Sequence, residues 1–305
     1  MRLSRETSEA TGRRFPVDLL CRLLLVPRSS FYEYRRQTRQ ERRERKRPGP
    51  KTQADDARLL ALIRLVLARS PFHTEGTKKV HVRLRAWFGV RASRHRINRL
   101  MRKAGLLSPQ RNAADREEKE HDGSLVPKAI DCLWGTDGTQ FGLSNGRLLW
   151  LFAAIDHFSA EVLGWHIIEV GHGNAFAALE PVKQALRKRR GALTRNAGQG
   201  VSVRHDWGPQ YRAGAFAKEL DFLGLGNSPA FVHEPETNGV IERFFRTLKE
   251  ECLWIHDFRD AEHARDVVGR WIETYNEEWL IERHGYRSPR AVRRACEAAP
   301  AAEVA

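Results

Sequence analysis

Apolar residues recur every three or four positions through the first third of this 305-residue chain, then switch to alternation. Residues 16–36 (PVDLLCRLLLVPRSSFYEYRR) carry the helical period on both sides of Val26-Pro27-Arg28. That predicts helix, turn, helix, with Ser29 or Ser30 as the second N-cap. A charged run over 37–51, closing on Pro-Gly-Pro, reads as a linker. Residues 54–69 (ADDARLLALIRLVLAR) predict an amphipathic helix with acids in its first turn. Lys78 to Trp87 predicts a second helix, Phe88-Gly89-Val90 a turn, and Ser93 the cap of a third, Arg94 to Ala104, stopping at Gly105. The polar stretch 108–128, flanked by Pro109 and Pro127, marks a boundary.

Beyond it the period falls to two. Cys132 to Phe141, Leu148 to Asp156 and Glu161 to Val170 predict three strands, with Ser144-Asn145-Gly146 as a hairpin turn. Asn174 to Arg190 predicts a helix, Gly200 to His205 a strand, Gly214 to Leu223 a helix, and Asn227 to Phe231 a brief extension. Asn238-Gly239 opens a helix from Val240 to about Cys252, and 258–281 and 286–298 add helices. Strands followed by strand–helix alternation predict an α/β mixed-sheet domain behind all-α helix-turn-helix modules. The segments are 1–50 (helix-turn-helix-like, with a basic linker), 54–107 (a second such module), 125–252 (the core) and 253–305 (a helical C-terminal segment).

Charge divides along the same line. Residues 1–112 hold 29 Lys/Arg against 9 Asp/Glu, and the remainder 24 against 29, within a net charge of +15. A polycationic front favours phosphate backbones, hence double-stranded DNA, over an idly solvated basic face. Within the third helix of the second module, Arg94, Arg96, Asn98, Arg99 and Arg102 suit phosphates and base edges. The four cysteines form no CxxC pair, so neither a zinc ribbon nor a disulfide framework is expected. The longest apolar run, Leu148 to Ile155, is eight residues, too short for a bilayer. With no secretory signal pattern at the N-terminus, the expectation is an intracellular, cytoplasmic, nucleoid-associated protein without a membrane partner.

The acids carry the chemistry. Asp137 lies within the first predicted strand, where Asp is disfavoured. Asp206 follows the short strand, at the sheet end where open α/β folds bind ligands. Glu242 opens a helix and borders its apolar stripe, with 35 residues between it and Asp206; Lys249 stands seven residues further on. Three carboxylates from separate elements suit two hard divalent cations and phosphoryl transfer. Singly each signal is weak. Glu242 and Arg246 also form an ordinary i, i+4 pair, Asp156 competes for the first position, and His157 and His205 read as solvated turn histidines ahead of groups that support the acids.

Together, Asp137, Asp206, Glu242 and Lys249 resemble the signature of the retroviral-integrase superfamily. The neighbouring words resemble the B-frame transposases of bacterial insertion sequences: Trp134-Gly135-Thr136-Asp137, Ala154-Ile155-Asp156-His157-Phe158-Ser159, His205-Asp206-Trp207-Gly208-Pro209-Gln210-Tyr211, and Asn238-Gly239-Val240-Ile241-Glu242-Arg243-Phe244-Phe245-Arg246-Thr247-Leu248-Lys249. Ser70-Pro71-Phe72-His73 and Gly285-Tyr286-Arg287-Ser288-Pro289 extend the likeness over about residues 16–295. The resemblance implies a ribonuclease-H-like core in which Asp137, Asp206 and Glu242 ligate two Mg²⁺ (or Mn²⁺). Water would cut a transposon end, and the freed 3′-hydroxyl would attack a target strand. Lys249 would bind the terminal phosphate, with Arg246 beside it on the DNA. Gln210 and Asn238 would touch DNA or orient loops. Homo-oligomers and a small upstream-frame helix-turn-helix partner are implied too. His205 and Ala160 stand where the family usually has Ser and Arg. A hydrolytic nuclease of the same fold, or a DNA-binding repressor with a decayed core, are the alternatives.

Overall fold

The computed structural model describes residues 7–8, 11–39, 54–107, 127–169, 174–230 and 238–298. The linker over 40–51, the segment 108–126, and the strand ends at Val170 and Phe231 lie outside the described residues. The chain forms two compact units, 1–52 and 53–305.

In the first unit, α1 (Val17–Leu23) and α2 (Arg28–Arg39) flank a reversal at Leu25, whose φ is +53°. Helix α2 begins at Arg28, so Ser29 and Ser30 fall inside its first turn and neither is the cap. Pro27 sets the start instead: its carbonyl accepts from Phe31 N at 3.2 Å, and its fixed φ suits a helix entry.

The second unit opens with α3 (Asp56–Arg69), α4 (Thr77–Phe88) and α5 (Arg94–Lys103). Asp55 caps α3 and Ser93 caps α5, each side chain accepting a backbone N–H three residues on. Gly89 ends α4 in the left-handed region, at φ +64°. Leu59, Ile63 and Val66 meet Val80, Leu84, Ile97 and Met101 in one small core.

A five-stranded sheet follows: β1 (Leu133–Gly142), β2 (Leu148–Asp156), β3 (Val162–Glu169), β4 (Ser202–His205) and β5 (Gly226–Pro229), in the order β3-β2-β1-β4-β5. The first three strands pair antiparallel, while β4 and β5 add in parallel on the other edge of β1. This is the ribonuclease-H-like mixed sheet. Both faces are apolar, as β2 shows. Leu149, Leu151, Ala153 and Ile155 join one cluster, while Phe152 and Ala154 join the other. The Phe152 side is covered by α6 (Ala175–Arg190), the short α7 (Pro209–Arg212) and α8 (Gly214–Leu223). Helix α7 has no counterpart in the periodicity, because four residues are too few to show one.

The opposite face is covered by α9 (Gly239–Leu248) and α10 (Ala261–Glu278), and α11 (Pro289–Ala298) packs on α10. The predicted α-helix to Cys252 stops at Leu248 and continues as a π-turn, Lys249–Leu253. Glu251, Cys252 and Leu253 are consecutive and all buried, a wider arc than one α-helical stripe can bury. Among the described residues no helix is long and apolar enough to cross a membrane.

Candidate active site

Strand parity sets the first acid. Trp134 joins the α6–α8 core while Phe141 joins the α9–α10 core, so Asp137, at odd spacing from Trp134, faces α9. Parallel pairing sets the second. Leu133, Trp134 and Gly135 pair with Ser202, Val203 and Arg204, and that register, continued by two residues, brings Asp206 abreast of Asp137. Helix α9 brings the third. Glu242 is exposed in its first turn, while Ile241, Phe244, Phe245 and Leu248 are buried. Asp137, Glu242, Arg246 and Lys249 line one cavity of about 370 Å³, together with Gly138, Thr139, Phe245 and Trp254. Trp254, 70% exposed, was not singled out by sequence. Its place on this wall follows from the π-turn, in which it donates to the Lys249 carbonyl at 2.9 Å.

Burial, then the charges of Asp206 and Glu242, push the Asp137 carboxyl up to about 7, against the pull of the Gly138 N–H and of Lys249. All four charged groups therefore share one electrostatic neighbourhood. Asp206 is exposed and turns one oxygen to Gly208 N at 2.9 Å. Tyr211 is buried against the same pair: burial and the charges of Asp137 and Asp206 hold its phenol well above the usual range.

Both histidines are buried, not solvated. His157 Nε2 meets Asn238 Oδ1 at 3.2 Å, and Asn238 Nδ2 donates to the Thr136 carbonyl at 3.4 Å. Asn238 thus ties the start of α9 to the backbone beside Asp137. Gly135 makes room for it, since a Cβ there would stand 2.3 Å from His157 Nε2. Burial pulls His157 down to about 4, helped by Arg204 and Arg283, so it stays neutral. His205 bridges strands, with Nδ1 2.6 Å from the Asp206 carbonyl and Nε2 2.7 Å from Asn227 Oδ1. Ala160, buried at φ +56°, turns the chain between β2 and β3.

Asp156 is engaged elsewhere. It is fully buried, accepts from Ser159 N, Ser159 Oγ and Asp131 N, and lies 3.8 Å from Arg293. The five side chains singled out on α5 divide. Arg96 binds Asp56 at 2.6 Å and the Ala54 carbonyl at 2.9 Å, with only 16% of its side chain exposed. Arg99 also reaches Asp56, at 2.7 Å, but stays largely exposed. Asn98 is half-buried beside Thr77. Arg94 and Arg102 are exposed and form no ion pair with a described residue.

Hard oxygen donors around a cavity fit divalent cations in chemistry. The oxygens do not yet close on one point: among the described residues no group of three His, Cys, Asp or Glu is set to hold a metal ion. Asp206 and Glu242 are both exposed side chains.

An HTH-like domain model matches residues 53–114, and an integrase core domain model matches residues 227–289. Transposase InsD for insertion element IS2A/D/F/H/I/K of Escherichia coli is 29% identical over 299 positions, covering 93% of this chain and 94% of that one. Among solved structures, the catalytic core domain of BIV integrase overlaps 55% of this chain and 96% of its own at 20% identity, with a TM-score of 0.39. The Mos1 transposase catalytic domain, solved with Raltegravir and Mg, overlaps 55% and 77% at 16% identity, with a TM-score of 0.41.

Proposed function

We propose, for a chain that is a homologue of the bacterial insertion-sequence transposases, that it cuts transposon ends and joins their 3′-hydroxyls to a second DNA strand. The observation carrying this reading is that Asp137, Glu242 and Lys249 line one cavity, with Asp206 close enough to push the Asp137 carboxyl up. Asp137, Asp206 and Glu242 are the residues that would hold two Mg²⁺ or Mn²⁺. When bound, such ions activate the attacking oxygen and neutralise charge on the leaving one.

The chain's own groups do the rest. Burial raises the Asp137 carboxyl to about 7, which tempers repulsion among the three acids near neutral pH. Lys249 and Arg246, on the cavity wall, are placed to hold a phosphate by charge-assisted contacts. Asn238 and His205 fix the backbone next to Glu242 and Asp206. Residues 54–107 would supply duplex binding through Arg94, Arg99 and Arg102, while Arg96 and Asn98 shape the helix that presents them. Holding two ends together implies more than one copy, and a small upstream-frame protein remains the expected partner for end binding.

The test is a labelled duplex carrying the element's terminal repeats, incubated with protein and Mg²⁺. Cutting and joining that disappear with Asp137→Asn or with chelator are expected. Wild-type activity in Asp137→Asn would falsify the assignment. Cut products that never join indicate a hydrolytic nuclease instead, and binding without cutting at any metal concentration indicates a repressor.

A further inference from the structure

The π-turn points two ways. On one side Lys249 and Trp254, linked by the 2.9 Å bond that defines the turn, line the acid cavity. On the other, Glu251 is 2% exposed and reaches out of the core altogether. Its oxygens accept His73 N at 2.6 Å, Thr74 N at 2.8 Å and the Thr74 hydroxyl, all from the loop between α3 and α4. The residue just before this clasp, Phe72, leaves its own three-helix core. Its ring sits edge-on to Trp271 and Trp279, at 6.3 and 4.9 Å, within the α9–α10 core. Lys79 of α4 lies buried over the Trp279 ring at 2.7 Å, where burial pulls its amine down to about 7 and Glu75 and Glu251 oppose that pull. A buried carboxylate stripped of water demands such donors, and leaving it without them is costly.

We propose that Glu251 is a positioning residue that locks the α3–α5 module to the turn carrying Lys249, so that DNA held by the module meets the acids in a single register. It rests on the transposase reading above. One carboxylate sets both ends of the path. Its backbone lies within the π-turn whose ends line the cavity, and its side chain fixes the loop that leads into α4. If the clasp loosens, duplex still binds the exposed arginines of α5, but the scissile phosphate arrives at variable offsets.

The experiment maps cut positions at nucleotide resolution on an end-labelled duplex with the full chain, alongside rate, duplex affinity and melting temperature. Glu251→Gln should slow cutting roughly tenfold to a hundredfold, the scale of a misplaced reacting group. Cuts should spread onto neighbouring phosphodiesters, with affinity within roughly twofold of wild type, since the α5 phosphate contacts are untouched. Thr74→Val should do the same more weakly, and Thr74→Ser, which keeps the donor, should restore the single cut. Should Glu251→Gln fail to fold, the threonine pair decides. A single wild-type cut position in the folded variants overturns the proposal, whether the rate is unchanged or merely lower, as a purely stabilising clasp would give. If Asp137→Asn abolishes cutting while Glu251→Gln leaves position and rate intact, only this inference falls. A wild-type chain that binds ends and never cuts overturns both.

Discussion

Two groups of acids in the same sheet domain behave in opposite ways. Asp131 and Glu161 lie beside Arg189, Arg293, Lys188 and Arg290, in ion pairs of 2.8–3.6 Å and an even closer Arg293–Glu161 contact. Burial would raise Asp131 and Glu161, yet Arg189 and Arg293 outweigh it for the first, and Lys188 and Arg293 for the second, leaving both below their ordinary values. Asp137 has burial without enough compensation, and its neighbours are two more acids, so it rises to about 7. The lesson is that residue type says little and partners say most. Acids that carry their cations within the chain hold the fold together. An acid buried beside further acids is instead pushed up toward neutrality.

That contrast is open to attack at several points. Asp206→Asn and Glu242→Gln should each lower strand cutting by about 10³-fold or more, given the several kcal/mol that metal-assisted catalysis supplies. Melting temperature should barely move, because both side chains are exposed. Arg293→Met should do the reverse. It takes from Asp131 and Glu161 their most buried cation while leaving Arg189 and Lys188 in place, and denaturant unfolding should show a loss of about 1–3 kcal/mol. Activity per folded molecule should survive.

Asp137→Asn should stabilise the chelated protein. The folded value of about 7 lies above the ordinary 3.8, so the ionised group costs stability once the pH exceeds both. The gain should be ~2–4 kcal/mol above pH 7 and fade as the pH falls toward 4. Unfolding curves at pH 8 and pH 4.5 that give equal differences would sink the claim of an uncompensated cluster. The smallest effects belong to α5. Arg94→Ala and Arg102→Ala should each reduce the salt slope of duplex binding by about 1. Arg96→Ala, which breaks the Asp56 contact, should lower melting temperature more than it changes that slope.

Local signals were sufficient for the helical module. Ser93 caps α5 and Gly89 ends α4 because caps and left-handed glycines are decided within a few residues. Short apolar runs bounded by turn residues likewise marked the three antiparallel strands, since β2 must meet a core on both faces. Three things did not show. Asp137 and Asp156 look alike along the chain, both aspartates on apolar strands, and only their neighbours in space tell them apart. The histidines at 157 and 205 read as turn residues, and only packing buried them. The break at Lys249 leaves no mark in an amphipathic pattern that runs on to Cys252.

By itself, then, the sequence determined the elements, the basic front, the order of the acids and the family resemblance, all properties of local spacing and composition. The tertiary structure decided which aspartate stands among further acids, that parallel pairing of β1 with β4 brings Asp206 abreast of Asp137, and that Glu251 turns away from the cavity toward the α3–α4 loop. The physical reason is range. Hydrogen bonding in helices and turns acts over about four residues, whereas desolvation and charge compensation depend on side chains brought together from positions more than a hundred residues apart, such as Asp137 and Glu242.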